Sequence, residues 1–428
     1  MEAPDSEKLE AQGIRFVRFT WCDNAGISRA KSIHVKSLSE GIGVTLAAQG
    51  FSGLADAPSP GSGLSAVGEM QLSPDWATLT PLSYAPGQAR VMVFLAEGSE
   101  ESPLCPRSFL GRQLGLAQAA GIRLRLAVEL EFYLVQADIT PAGPPETHLN
   151  FEQNHILISE ITNLLEAQQI QVQYYYPGSG PGQHKIGLAP SEAMALADHI
   201  LAARETIRLV AHRQGLRATF LPKPFPDLPG NGAPLQVYLD CQDSPEGTYG
   251  ISADQASFMS GVLAHLPALT LLTTPSPNSY ARLTSHEWAG AYRIWGFDNH
   301  QAALRVPKQA AGSWFFEFKT HDATANPYLA LGAVIAAGLD GQKRQLTLPE
   351  PSQFDPSQLS PLARRIRGVP VLPSDFPEAK EHFELDPLLP ASLGPRLARA
   401  AMAVREAEWE ALGRANVVEQ AQKLFERY

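Results

Sequence analysis

Two glutamates separated by one residue, on a segment that alternates almost perfectly, are the side chains with the clearest capacity for chemistry. In the stretch RLRLAVELEFYL, Leu124, Leu126, Val128, Leu130, Phe132 and Leu134 fall on one face of a strand. Arg123, Arg125, Ala127, Glu129, Glu131 and Tyr133 fall on the other. A strand this apolar on one side packs against helices, so its polar face holds two carboxylates about 7 Å apart on a rigid sheet. Such a pair suits a divalent cation, because Mg²⁺ takes hard oxygen ligands, usually one or two carboxylates plus substrate phosphates. The plainer alternative is that Glu129 and Glu131 pair with Arg123 and Arg125 on a solvated face.

A second segment, Ser313 to Lys319 (SWFFEFK), repeats the pattern. Trp314, Phe316 and Phe318 point one way and Phe315, Glu317 and Lys319 the other, so a third carboxylate is available. Tyr174 to Gly187 (YYYPGSGPGQHKIG) reads as a strand running into a glycine-rich turn, without the GK[ST] ending of a phosphate-binding loop. His184, His286, His300 and His321 have no HxH or HxxxH spacing and read as surface or packing residues. No nucleophile elbow, dinucleotide fingerprint or zinc pattern is present.

The elements that must position these groups divide near residue 103. From Gly13 to about Ser102, strand-like pieces (Ile14 to Thr20, Arg90 to Leu95) alternate with Gly-, Ser- and Pro-rich loops such as Ala57 to Leu64. Beyond Pro103, long helical patterns alternate with strands, which is an α+β or α/β signature. One helix is expected from about Glu192 to Gln214, capped by Ser191 and ended by Gly215, with a short strand from Ala218 to Leu221 after it. Another is expected from about Pro395 to Leu412, and Pro349 to Pro373 reads as a Pro-rich connection.

At 428 residues the chain can hold two or three domains. Its 34 basic and 44 acidic residues give a net charge of -10, which disfavours a general affinity for nucleic acid or anionic lipid and favours a small-molecule substrate. Three cysteines, Cys22, Cys105 and Cys241, with no CxxC pair, argue against a disulfide framework and suit a reducing cytosol. The polar N-terminus and the lack of an uninterrupted apolar run of ~18 residues lead to the expectation of a cytoplasmic protein with no membrane span.

Read in order, the segments resemble the glutamine synthetase family over nearly the whole chain. The resemblance rests on AVELEFYL (Ala127 to Leu134), GPGQ (Gly180 to Gln183), ATFLPKPF (Ala218 to Phe225), NSYARL (Asn278 to Leu283), AALRVP (Ala302 to Pro307) and ANPYLALGAVIAAGLDG (Ala325 to Gly341). WAGAY, FEFK and RATFLPKPF are most similar to the branch related to the fungal FluG protein. The resemblance implies an α+β fold: a small β-grasp-like domain over 1–102, then a large catalytic domain over 103–428 with a curved antiparallel sheet flanked by helices. It implies a homo-oligomeric ring, hexamer to dodecamer, with each site completed by a neighbour. It also implies ATP and Mg²⁺ or Mn²⁺, which activate the γ-carboxylate of glutamate as an acyl phosphate for attack by ammonia or another amine.

Carried over by position, Glu129, Glu131 and Glu317 match metal-binding glutamates. Arg282 matches the arginine that grips the glutamate substrate, and Gly230 matches a backbone contact to it. Arg305 and Lys319 match catalytic cations, Arg305 near the transferring phosphate and Lys319 at a position that is usually arginine. The departures are equally specific. Gly178 and Lys185 stand where the family pattern supplies two further metal glutamates, and Pro234 and Gln236 replace two histidines. His300 and Phe315 replace arginines, Gly43 to Ala47 lacks the ammonium-site aspartate, and Trp288, next to Glu287, occupies the position of the flap glutamate. Lys185 is thus a candidate substitute for one metal ion, its ammonium neutralising Glu131. Two functions are compatible with this pattern: a carboxylate–amine ligase with a reduced metal number, and a non-catalytic ring-forming homologue that binds a metabolite or a partner protein.

Overall fold

The structure is a computed structural model that describes residues 4–144, 146–241, 248–284, 287–308 and 314–428. The side chains of Cys241 and Thr248 are also left undescribed, and His286 and Ser313 lie outside the described residues. Among the described residues the strands form two sheets. The first contains β1 (Phe16–Cys22), β2 (Ser28–His34), β3 (Gly43–Thr45), β4 (Glu69–Pro81), β5 (Gln88–Glu97) and β6 (Glu100–Glu101), in the order β2-β1-β5-β4-β3 with β6 on β5. The second contains β7 (Ile122–Val135), β8 (Val172–Pro177), β9 (Gln183–Glu192), β10 (Arg217–Thr219), β11 (Leu235–Cys241), β12 (Tyr292–Phe297), β13 (Ala302–Val306) and β14 (Phe315–Phe318). Its order is β12-β13-β14-β11-β7-β9-β8, with β10 on the end of β7. Antiparallel pairing dominates this sheet, and the β12–β13 pair is parallel.

The alternation read from the sequence of β7 is the alternation of the structure. Leu124, Leu126, Val128, Leu130, Phe132 and Leu134 are all buried in the main core. The same core takes in residues of the long helices α2 (Pro106–Ala119), α3 (His148–Glu166), α4 (Ala193–Arg213), α5 (Ala253–Thr273) and α7 (Pro327–Lys343) and of the short α6 (Ser279–Arg282), whereas the short α1 (Ser6–Ala11) packs in a separate core with the first sheet. Five further helices follow: α8 (Pro361–Ile366), α9 (Phe376–Leu385), α10 (Leu389–Leu393), α11 (Pro395–Leu412) and α12 (Val417–Leu424).

The helices expected near 192–214 and 395–412 are α4 and α11. Ser191 does not cap α4, because β9 runs on to Glu192 and Ser191 is paired with Leu126 in the ladder. The Pro-rich stretch 349–373 is not all connection: Ser360 caps α8, with Pro361 at its first position. Helix α5 is apolar and long enough to cross a bilayer by composition, yet 78% of its apolar window is buried inside the protein, as in a core helix. It runs against α7 through glycines. A Cβ on Gly261 would lie 2.2 Å from the Ala337 carbonyl oxygen, and one on Gly341 2.2 Å from that of Ser257, so only glycine permits this backbone contact.

A histidine clamp fastens α5 one turn beyond Gly261. His265 Nδ1 lies 2.6 Å from Asp386 and Nε2 2.9 Å from Asp340. Burial alone would lower the His265 pKa, but the two carboxylates raise it above its usual 6.5. Burial would raise both aspartates, but their bonds to His265 hold them below 3.8. A raised histidine contributes fully below 6.5 and loses its contribution as pH climbs through the raised value. The lowered aspartates contribute fully above 3.8 and lose theirs as pH falls through the lowered values. The clamp is therefore strongest between these limits. In thermal unfolding, the Tm deficit of His265→Gln relative to the wild-type chain is expected to be largest near pH ~6 and to shrink toward pH ~9; a deficit independent of pH would show that the clamp acts through packing.

Candidate active site

Strand register assembles the polar face. Antiparallel pairing of β7 with β9 sets Glu131 opposite Lys185 and Glu129 opposite Gly187. Pairing of β9 with β8 sets Lys185 opposite Tyr176 and Gly187 opposite Tyr174. On the other side, β11 sets Gln236 between Ala127 and Glu317, and β13 sets Arg305 opposite Glu317. Glu129, Glu131, Tyr174, Tyr176, Lys185, Gln236, Arg305 and Glu317 line a cavity of about 660 Å³ together with Arg282, Gly230, Lys319, Pro234, Gly178 and His300. Glu129, Glu131, Glu317, Lys185, Arg282, Gly230, Arg305 and Lys319 thus share one cavity, and Phe315 and residues 43–47 are not on its lining.

Each carboxylate has its own partner. Lys185 Nζ lies 2.7 Å from Glu131 Oε1 and 3.6 Å from Glu129 Oε1. The Gly232 N–H donates to the second Glu131 oxygen. Burial would raise Glu131, but Lys185 and Arg282 overcome it and hold its pKa down to about 2. Burial depresses Lys185, and its two glutamates more than reverse this, so the ammonium stays charged. Glu129 is different. Burial and then the neighbouring Glu131 raise it, and Oε2 accepts hydrogen bonds from Tyr174 (3.0 Å) and Tyr176 (2.7 Å). Gly187 allows this, since a Cβ there would lie 2.3 Å from the Tyr174 ring. Glu317 receives Arg305 Nε at 2.6 Å and has Lys319 Nζ at 3.6 Å; against the effect of burial, these two cations lower its pKa.

The remaining groups divide between the cavity and the scaffold. Arg282 donates to the carbonyls of Thr320 and Lys319, both at 2.9 Å, so its guanidinium braces the backbone beneath the cavity. Glu287 accepts from Gly230 N–H at 2.8 Å and forms an ion pair with Lys223, which also donates to the Leu228 carbonyl at 2.7 Å. Trp288, 65% exposed, stands over His300 with ring centroids 5.7 Å apart. His184 and His321 are buried packing residues: His184 stacks on Phe132, and His321 bonds the Ala233 carbonyl. The sequence reading missed Tyr174, Tyr176 and Lys223. The first two carry a signal in hindsight, being alternate residues that share a face of β8.

The fit to a divalent cation follows from the donor set. Among the described residues no three carboxylate, imidazole or thiolate groups are arranged to hold a metal ion. Lys185 stands between the two β7 glutamates, and Glu317 is engaged by Arg305, so the carboxylates as placed do not fit an ion held by the protein alone.

A sequence profile of the glutamine synthetase catalytic domain matches residues 103–423. The chain belongs to the glutamine synthetase family. It is 37% identical over 428 aligned residues to the γ-glutamylpolyamine synthetase GlnA3 of Streptomyces coelicolor, covering 94% of this chain and 91% of that one. It is 30% identical to the glutamine synthetase of Methanocaldococcus jannaschii, covering 94% and 93%. Two solved structures share the fold: a glutamine synthase homologue (TM-score 0.85, 27% identity, all of both chains) and GmaS in complex with ADP (TM-score 0.83, 25% identity, 96% of both). The α+β architecture is that of the glutamine synthetase family. The curated relatives are ligases, which places this family member among the carboxylate–amine ligases. The family generally uses ATP and divalent metals, and its members are typically oligomeric rings.

Proposed function

We propose that the protein ligates the γ-carboxylate of glutamate to an organic amine in preference to ammonia, at the expense of ATP. Trp288 carries this reading. It puts an exposed aromatic ring at the cavity, against His300, at the position of the family's flap glutamate, and Gly43 to Ala47 offers no ammonium-site carboxylate. An aromatic surface suits an alkyl chain or an alkylammonium better than a free ammonium ion. The γ-glutamylpolyamine synthetase relative supports the same direction.

In this reading Lys185 supplies the resident positive charge at Glu131 that an ion would otherwise provide, and Arg305 and Lys319 face the transferring phosphate from the opposite strands. A divalent ion would have to come with ATP, where it would neutralise phosphate charge. The γ-phosphoryl group would pass from ATP to a γ-carboxylate oxygen with release of ADP, and the neutral amine would then attack the carboxyl carbon, expel phosphate and lose a proton as the amide forms. Residues 1–102 and 103–428 act as two units in a hexameric to dodecameric ring of cytoplasmic subunits.

The test measures phosphate release and γ-glutamyl product mass with ATP, Mn²⁺ and glutamate, using ammonium or a panel of primary amines. The expected result is a kcat/KM at least about tenfold higher for an amine than for ammonium, a difference of ~1.4 kcal/mol. Equal rates would overturn the amine preference. A second reading, a ring that binds a metabolite or partner without catalysis, is favoured by the internal partner of each site glutamate. No nucleotide binding and no phosphate release from the assembled protein would establish it.

A further inference from the structure

Beside the site lies a second cavity of about 600 Å³, and the two share Trp288 and His300 as a common wall. Its frame is built by hydrogen bonds. Asn299 donates to the carbonyls of Ser352 and Phe354, both at 3.1 Å, which ties the turn after β12 to the segment 351–355. The Lys308 N–H fixes the Asp298 carboxylate at 3.2 Å, and Ser357 fixes that of Asp355 through its N–H (2.8 Å) and hydroxyl (2.7 Å). Tyr249 and Phe297 bring aromatic faces, with ring centroids 6.1 Å apart, and the Tyr249 hydroxyl is held by Glu350.

Like its neighbour, this cavity is lined by both acids and bases, and here the acids stand among aromatic rings. Asp298 and Asp355 line it, Glu350 stands behind Tyr249, Lys308 is the lysine on its wall among the described residues, and the Arg367 guanidinium lies 4.8 Å from the centroid of the Phe354 ring. His300 is biased to the neutral form, first by burial and then by Lys319 and Arg305. Carboxylates interleaved with aromatic faces recognise alkylammonium groups, the acids by charge and the rings by their negative faces.

We propose that this second cavity receives the distal ammonium of a long, polycationic amine whose reacting nitrogen lies in the first cavity, with its alkyl chain crossing the Trp288 and His300 rings. The inference rests on the organic-amine reading and specifies its substrate as a linear di- or triamine. Asp298 and Asp355 are then determinants of specificity, removed from the reacting atoms.

The experiment compares spermidine, a linear triamine, with propylamine, which has no distal charge, on the full chain and on D298N/D355N. These substitutions keep the side-chain shape and the oxygen that serves each local N–H. The KM for spermidine is expected to rise at least about tenfold more than the KM for propylamine. Equal changes for the two amines, or none, would overturn the subsite while leaving the ligase reading intact. If the wild-type chain ligates neither amine, the ligase reading fails on its own, and calorimetric titration with spermidine still decides the subsite. Binding that weakens at least about tenfold in the double variant supports it, and binding that is absent or unaltered refutes it.

Discussion

Lys185→Met is expected to destabilise the protein by about 3 kcal/mol, and Lys185→Met combined with Glu131→Gln to recover most of that loss. Glu131 is 8% exposed, and its charged form is held by one ammonium at 2.7 Å, one backbone N–H and the more distant charge of Arg282. Removing the ammonium leaves a buried carboxylate beside a second one, Glu129, that already suffers from its proximity. The cost is that of a charge left with only Arg282 and a backbone N–H to balance it, rather than of a lost contact, so neutralising Glu131 relieves it. Urea unfolding of the single and double variants measures the coupling directly. Lys185→Glu carries the argument further. It replaces the resident cation by a third acid across from Glu131 and next to Glu129, which creates oxygen donors that need a cation. Mn²⁺ titration without nucleotide should then show binding at least about tenfold tighter than for the wild-type chain. If the wild-type chain binds Mn²⁺ at Glu131 as tightly as the variant does, Lys185 does not substitute for an ion.

What could be read from the sequence was what repeats along it. The period of two in RLRLAVELEFYL located β7 and both its faces, because a strand with one buried face must alternate. Helix α11 carries the same kind of one-sided signal at helical period. Helix α5 was missed because it is buried nearly all round and so has no polar stripe to reveal its period. Within the site, Lys185 faces Glu131 through strand register, as its position at a metal glutamate of the family pattern led us to expect. The two phenols on Glu129 come from residues 45 and 47 positions away, across an intervening strand, and the Lys223–Glu287 pair spans 64 positions. Local pattern has no access to such separations. Nor does a motif match reveal that Arg282, whose type suggests a substrate clamp, has two of its nitrogens committed to backbone carbonyls.

Arg305→Ala should reduce kcat for the proposed ligation by about 10²- to 10³-fold while changing stability little. Arg305 is the cation on β13 that reaches Glu317, with its side chain 20% exposed to the cavity. An exposed edge of this kind is what a developing negative charge on a transferring phosphate would meet. Stability should hold because Lys319 remains 3.6 Å from Glu317 and continues to neutralise it. Arg305→Lys should fall between the two, since lysine keeps the charge but not the planar fork that can hold two oxygens at once. An alternative is that Arg305 serves only to neutralise and orient Glu317. The two roles separate in the combination of Arg305→Ala with Glu317→Gln. A purely orienting arginine becomes dispensable once Glu317 is neutral, so activity would return toward that of Glu317→Gln alone. An arginine acting on the phosphate stays essential whatever the charge of Glu317, and the double variant would then remain as slow as Arg305→Ala, with normal folding as judged by its Tm.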